Sequence, residues 1–160
     1  MNKKLSVIGD IHTEDVFNLI LDYEVARAMR YPTPMALMCI EIVPRSNNLE
    51  TLQAASNLFV SALDQYIRSA DIPCVIDKEI MIMLPATNQS GLLSTCERML
   101  SIFKQEFESE DGHEITFDLY IGGTAQKGGG DLSRSKLLES SQSALLESKL
   151  KGINTYVIQS

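Results

Sequence analysis

The sequence predicts a single mixed α/β domain: a ferredoxin-like sheet of about five strands, with a central hairpin and helices packed on one side. Three observations carry this. Helical and strand-like runs alternate along the chain in the order α, β, α, β-hairpin, α, β, α, β. The hairpin is flanked by βα crossovers, which mix antiparallel pairs with helix layers. The 160 residues hold no internal repeat and no linker, so residues 1–160 form one domain, long enough to bury a core without staples.

The first helix is expected over residues 13–30. Thr13 offers a cap acceptor, Glu14 and Asp15 place acids in the first turn, and Val16, Phe17, Leu19, Ile20, Tyr23 and Ala26 recur at helical spacing. Pro32 and Pro34 end it. Ala36 to Val43 is a short apolar run closed by Pro44, a buried central strand. Asn47-Asn48 opens a second helix whose apolar face is Leu49, Leu52, Phe59, Leu63 and Ile67. Two apolar runs, Pro73 to Ile76 and Glu79 to Leu84, flank Asp77-Lys78 and read as a hairpin. A third helix spans Asn88 to Phe107, with Leu92, Cys96, Met99, Phe103 and Phe107 facing inward. An acidic loop, a strand over Ile115 to Gly122, a glycine turn at 128–130, a helix over Leu132 to Leu150 and a strand over Thr155 to Ile158 complete the chain.

Charge and composition exclude several functions. The net charge is −7, and Lys3-Lys4 is the largest basic cluster, so neither nucleic acid nor an anionic membrane is expected as a partner. No stretch is long and apolar enough to span a bilayer, and no signal peptide is visible, which predicts a soluble cytoplasmic protein. Cys39, Cys74 and Cys96 sit in apolar contexts without a CxxC or Cys/His pairing; they read as buried thiols in a reducing compartment, and no metal site is expected. His12 and His113 are isolated. Gly122-Gly123 and Gly128 to Gly130 fit no phosphate-cradling fingerprint, and no serine lies in a nucleophile elbow. The residues alone give an α/β domain without assigned chemistry.

The stretch from Arg68 and Asp71 through Ile76, Asp77, Lys78 and Glu79 to Leu84-Pro85 resembles the centre of a GGDEF (diguanylate cyclase) domain. There an Arg-x-x-Asp motif shortly precedes the Gly-Gly-Asp/Glu-Glu-Phe hairpin, which leads into a strand ending in Leu-Pro. Arg30 to Glu41 is similar to the family's entry into its first strand, Tyr120-Ile121-Gly122 to its Ser-Ile-Gly strand, and Ser143-Ala144-Leu145, Lys149, Gly152 and Asn154 to its closing helix and Gly-Arg-Asn turn. The resemblance covers roughly residues 14 to 158 and implies a GGDEF-type sheet.

It also implies a lost active site. Ile76 and Asp77 stand at the two glycines, which let backbone approach a nucleotide in conformations a β-branched residue resists, and Lys78 replaces the next acid. Glu79 and Glu41 align with acidic metal-binding positions, but Glu41 is one methylene longer than the family's aspartate, a shift that octahedral Mg²⁺ tolerates poorly. Val43 to Asn48 and Leu52-Gln53 replace further nucleotide-contacting residues, and Ile153 stands at the phosphate-contacting arginine, while Lys149 is kept. The expectation is therefore no enzyme, no catalytic residue, no metal and no cofactor. Read without the family, Glu41 and Glu79 are solvated or sheet-edge residues and Lys149 a helix-surface lysine.

In many family members the Arg-x-x-Asp motif forms an inhibitory site for cyclic-di-GMP, completed by an arginine of the next helix. Arg68, Asp71 and Arg98 match those positions. An Arg and an Asp three apart are by themselves often a surface ion pair of little worth; the register with the hairpin and the matching Arg98 set this pair apart. Arginine can bind guanine O6 and N7 and meet phosphate, and aspartate can accept from guanine's donor edge. The implied function is a cyclic-di-GMP receptor of bacterial second-messenger signalling that acts through a protein partner. The alternatives are an interaction scaffold binding no nucleotide and a residual cyclase with altered metal geometry. An interface for that partner is compatible with the first helix, whose apolar residues, Leu21 and Met29 among them, extend beyond one stripe; a homodimer is a further expectation.

Overall fold

The structure, a computed structural model, describes residues 3–4, 12–45, 55–76, 79–108, 112 and 114–160. Asp77, Lys78, His113 and the stretch containing Asn47, Asn48, Leu49, Leu52 and Gln53 lie outside the described residues.

Local chemistry accounts for the element ends. Helix α1 (Glu14–Arg30) starts where the Thr13 hydroxyl accepts the Val16 N–H at 3.3 Å, and it ends before Pro32. Strand β2 (Met35–Arg45) runs past the expected stop at Pro44. Beyond Glu41 it is paired on one side alone, and an edge tolerates proline. Helix α2 (Ala55–Leu63) is followed by the hairpin of β3 (Ile72–Ile76) and β4 (Glu79–Pro85), with Ile76 opposite Glu79. Helix α3 (Gln89–Ile102) is capped by the Asn88 side chain, which accepts the Gly91 N–H at 2.9 Å. It ends a turn earlier than its aromatic spacing suggests, and Phe107 belongs to a short strand, β5 (Phe107–Glu108), paired with a further short strand, β1 (Lys3–Lys4). Strand β6 (Glu114–Gln126), helix α4 (Arg134–Lys151) and strand β7 (Thr155–Gln159) follow.

Five strands form the body of the sheet, in the order β7-β6-β2-β4-β3, and β5 and β1 extend it from the start of β6. All pairs in this body are antiparallel except β6 with β7. The helices lie on both faces, not on one as expected. Met35, Leu37 and Cys39 of β2 pack with Phe17, Leu21 and Val25 of α1 and Leu137 and Leu145 of α4. Ala36, Met38 and Ile40 point the other way, to Phe59 and Leu63 of α2 and Leu92, Cys96 and Met99 of α3. Successive side chains on a strand alternate between faces, so a strand buried throughout needs cover on each.

Among the described residues no helix is long and apolar enough to cross a membrane.

Candidate functional site

The hairpin places the two ends of one loop system together. Because β3 and β4 are antiparallel, the chain entering β3 at Asp71 lies beside the chain leaving β4 at Pro85. Arg68 stands in the turn between α2 and β3, closed by reciprocal bonds: the Asp71 N–H donates to the Arg68 carbonyl at 3.0 Å, and the Arg68 N–H donates to Asp71 Oδ2 at 2.9 Å. The Arg68 guanidinium then crosses to the far side. Its Nη2 donates to Asp71 Oδ1 at 2.7 Å, to the Pro85 carbonyl at 2.9 Å and to Thr87 Oγ1 at 2.8 Å, while Nε donates to Asp71 Oδ1 at 3.1 Å.

Asp71 differs from its expected role. Its side chain is only 2% exposed and both oxygens are engaged by Arg68, so it does not present a carboxylate to a ligand. A buried charge must be paired, and this one is paired by holding Arg68, whose side chain remains half exposed.

Arg68 and Arg98 meet at one pocket. A cavity of about 270 Å³ is lined by Pro34, Arg68, Ala86, Thr87, Asn88, Gly91, Thr95 and Arg98. Gly91, Thr95 and Arg98 form one outward face of α3, away from the buried Leu92, Cys96 and Met99. The cavity thus combines two guanidinium groups with the first turn of a helix, where N–H groups and the dipole favour negative charge. Ala86 at its lip has φ +52°, the left-handed region that non-glycine residues seldom enter. This turn redirects the chain from β4 into α3. Thr87 and the Pro85 carbonyl were not visible as site groups in the sequence, although Asn88 before an apolar helical run was a readable cap.

The other end of the hairpin carries the carboxylates. Glu41 and Glu79 are direct cross-strand partners on β2 and β4. Glu41 lies in the middle of the sheet, with its side chain 19% exposed, and not on an edge. Lys149 of α4 is no plain surface lysine: its Nζ lies 2.6 Å from Glu41 Oε2. The hydrogen bond to Glu41 and the charges of Glu41, Glu79 and Tyr120 raise its pKa above the ordinary lysine value. Among the described residues no group of three or more His, Cys, Asp or Glu is placed to hold a metal ion.

Beside it, Asn154 adopts φ +58°. Its N–H donates to the Leu119 carbonyl at 2.6 Å, its Oδ1 accepts the Leu119 N–H at 3.0 Å, and its Nδ2 donates to Asp118 Oδ1 at 3.0 Å. Burial would push the Asp118 carboxyl up. The bonds from Asn154 and Arg45, with the Arg45 charge, outweigh it and hold the carboxyl below its ordinary value. Ile153 in this turn is exposed.

No protein-family model matches the chain, and no curated protein matches it. Solved structures match it in fold. The GGDEF domain of DgcB from Caulobacter crescentus, in complex with c-di-GMP, is similar with a TM-score of 0.73 at 16% identity, over 93% of this chain and 89% of that one. The active GGEEF domain of a diguanylate cyclase from Vibrio cholerae gives 0.72 at 21% identity, over 94% and 100%. The diguanylate cyclase SiaD from Pseudomonas aeruginosa, in complex with its activator SiaC, gives 0.71 at 16% identity, over 97% of this chain and 62% of that one. The fold is that of a GGDEF domain.

Proposed function

We propose that this chain is a cyclic-di-GMP receptor that has lost cyclase activity and signals through a protein partner. The observation that carries the reading is the convergence of Arg68 and Arg98 on one pocket at the start of α3. Nε and Nη2 of Arg68 are engaged within the protein, so Arg68 offers a ligand its Nη1 group and its charge, while a planar fork such as that of Arg98 binds guanine O6 and N7 or a phosphate bidentately; two cations beside a helix N-terminus suit a compact guanine dianion. Thr95 and Asn88 supply further polar groups, although both are engaged within α3: Thr95 Oγ1 donates to the Gly91 carbonyl at 2.8 Å. Asp71 acts as a positioning residue that fixes Arg68. The c-di-GMP complex of a domain with the same fold supports this choice of ligand.

The loss of catalysis is supported at the opposite end of the hairpin. Phosphoryl chemistry on this fold would rest on positioning and metal electrostatics. Ile76 stands in β3 where the resemblance places a glycine, and a β-branched residue there resists the close backbone approach of a nucleotide. A protein partner is supported by the activator complex of SiaD, which shares the fold.

Calorimetric titration of cyclic-di-GMP into wild type, Arg68→Ala and Thr87→Val, with GTP and cyclic-di-AMP as controls, tests the receptor. Binding of cyclic-di-GMP alone, abolished in Arg68→Ala, is expected. Thr87→Val removes one acceptor from the guanidinium and should weaken binding by about 1 kcal/mol, roughly fivefold. No heat from a folded sample would leave an interaction scaffold. Formation of cyclic-di-GMP from GTP with Mg²⁺ or Mn²⁺, lost in Glu79→Gln, would make the chain a cyclase.

A further inference from the structure

Helix α1 is apolar on two faces. Phe17, Leu21, Val25 and Ala28 are buried against the sheet. Leu21, expected to contribute to an outer surface, is fully buried. The outer face is built instead from Val16, Leu19 and Tyr23, spaced three and four residues apart; Leu19 is 70% and Tyr23 67% exposed. Exposed Ala26 continues the stripe. Exposed Asp15 lies at its N-terminal end and half-exposed Arg27 at its C-terminal end, the latter 3.3 Å from Glu24 on its own helix.

This pattern is complementary to itself. Charge runs from acidic to basic along the stripe, so two copies aligned in parallel would set like charges together. Antiparallel copies match. A two-fold axis passing between Leu19 and Tyr23 lays Leu19 on the partner's Tyr23, Val16 on the partner's Ala26, and Asp15 beside the partner's Arg27, each contact occurring twice. Arg134 of α4, which holds Asp22 at 2.8 Å and Asn18 at 2.7 Å, braces the inner flank of the helix and leaves the stripe clear. We infer that the outer face of α1 is a docking surface for a second copy of this chain, packed antiparallel about that axis. A single helix pair is a small contact, which belongs with the weak, transient class of interfaces, and the dimer is accordingly concentration-dependent. The surface is distinct from the Arg68 pocket, and its occupancy does not depend on what that pocket binds.

Sedimentation velocity over rising protein concentration tests the inference, with circular dichroism and thermal melting to confirm that each variant is folded. Wild type should shift from monomer to dimer, and Leu19→Glu should stay monomeric. Asp15→Lys and Arg27→Glu should each stay monomeric alone, since each sets like charges together twice. Mixed in equal amounts they should form a heterodimer, because both charge pairs are then opposite. A wild type that stays monomeric throughout would overturn the inference. So would a dimer indifferent to Leu19→Glu, or single charge variants that fail to recombine on mixing; these last two outcomes would place the contact on another face or in another register.

Discussion

Lys149 and the two glutamates it faces show how one side chain can settle a charge conflict. Carboxylates directly opposite each other on an antiparallel pair repel, and Glu41 and Glu79 are such a pair. The ammonium group at 2.6 Å from Glu41 offsets that repulsion. Because its pKa is raised in the folded state above the ordinary 10.5, its contribution to stability is complete below that value and is lost as pH climbs through the folded one. Lys149→Met should lower stability at pH 7 by the ~0.2–1 kcal/mol typical of partly exposed pairs. The gap between variant and wild type, read from urea unfolding midpoints, should stay constant up to about pH 10 and close above it, as lysine deprotonates. A gap that persists undiminished at high pH would mean that Lys149 acts through packing and not through charge.

Adjacent glycines of β6 illustrate what the elements demand of each other. A Cβ on Gly122 would lie 2.0 Å from the Leu145 backbone nitrogen and 2.5 Å from its Cα, so α4 rests directly on the strand. A Cβ on Gly123, on the opposite face, would meet the methyl groups of Leu92 at 3.1 Å, which a side chain can yield. Gly122→Ala should therefore cost about 2–3 kcal/mol or more, at the upper end of overpacking, and Gly123→Ala well under half of that. Equal thermal midpoints for the two variants would contradict this packing. The same glycines show what was readable beforehand. As a motif they fitted no phosphate loop, and nothing in the sequence says which helix will lie across them. The alternation of elements and the hairpin were legible because apolar periodicity and punctuation by proline and asparagine are local. The early end of α3 was not, because Phe103 and Phe107 keep a helical spacing while Phe107 reaches the ring cluster of Phe59, Phe103 and Phe117 from a strand. The two-sided burial of Met35 to Ile40 was written in an unbroken apolar run, which periodicity alone does not assign to one or two helix layers. At the site, Arg68 and Arg98 were found through the register of the resemblance. The Pro85 carbonyl was out of reach, since its direction follows from the turn at Ala86.

Across the whole molecule the three thiols report on both sides of the sheet. Cys39 and Cys74 belong to the layer under α1 and α4, and Cys96 to the layer under α2 and α3. All three are free and buried. Burial pushes Cys39 and Cys96 up to about 12 and raises Cys74 as well. The thiolate is the reactive form, so the native protein should resist an aromatic disulfide reagent at neutral pH. Cys39 and Cys96 should become labelled at one shared rate, that of global opening. A bound ligand should slow that rate by stabilising the folded state. Labelling of either thiol much faster than unfolding would show that one layer opens independently of the other.

On the proposed reading of this chain as a receptor, the lock on Arg68 has a consequence for signalling. Its guanidinium is held by Asp71, Pro85 and Thr87, all groups of the protein itself, so the cost of ordering that side chain is met during folding and is not repeated on binding. A site assembled in advance makes association favourable but leaves little movement to convey that it has been filled. In such a receptor the message is the ligand itself: the bound molecule becomes part of the surface, and a partner reads a mosaic of nucleotide and protein that neither component displays alone.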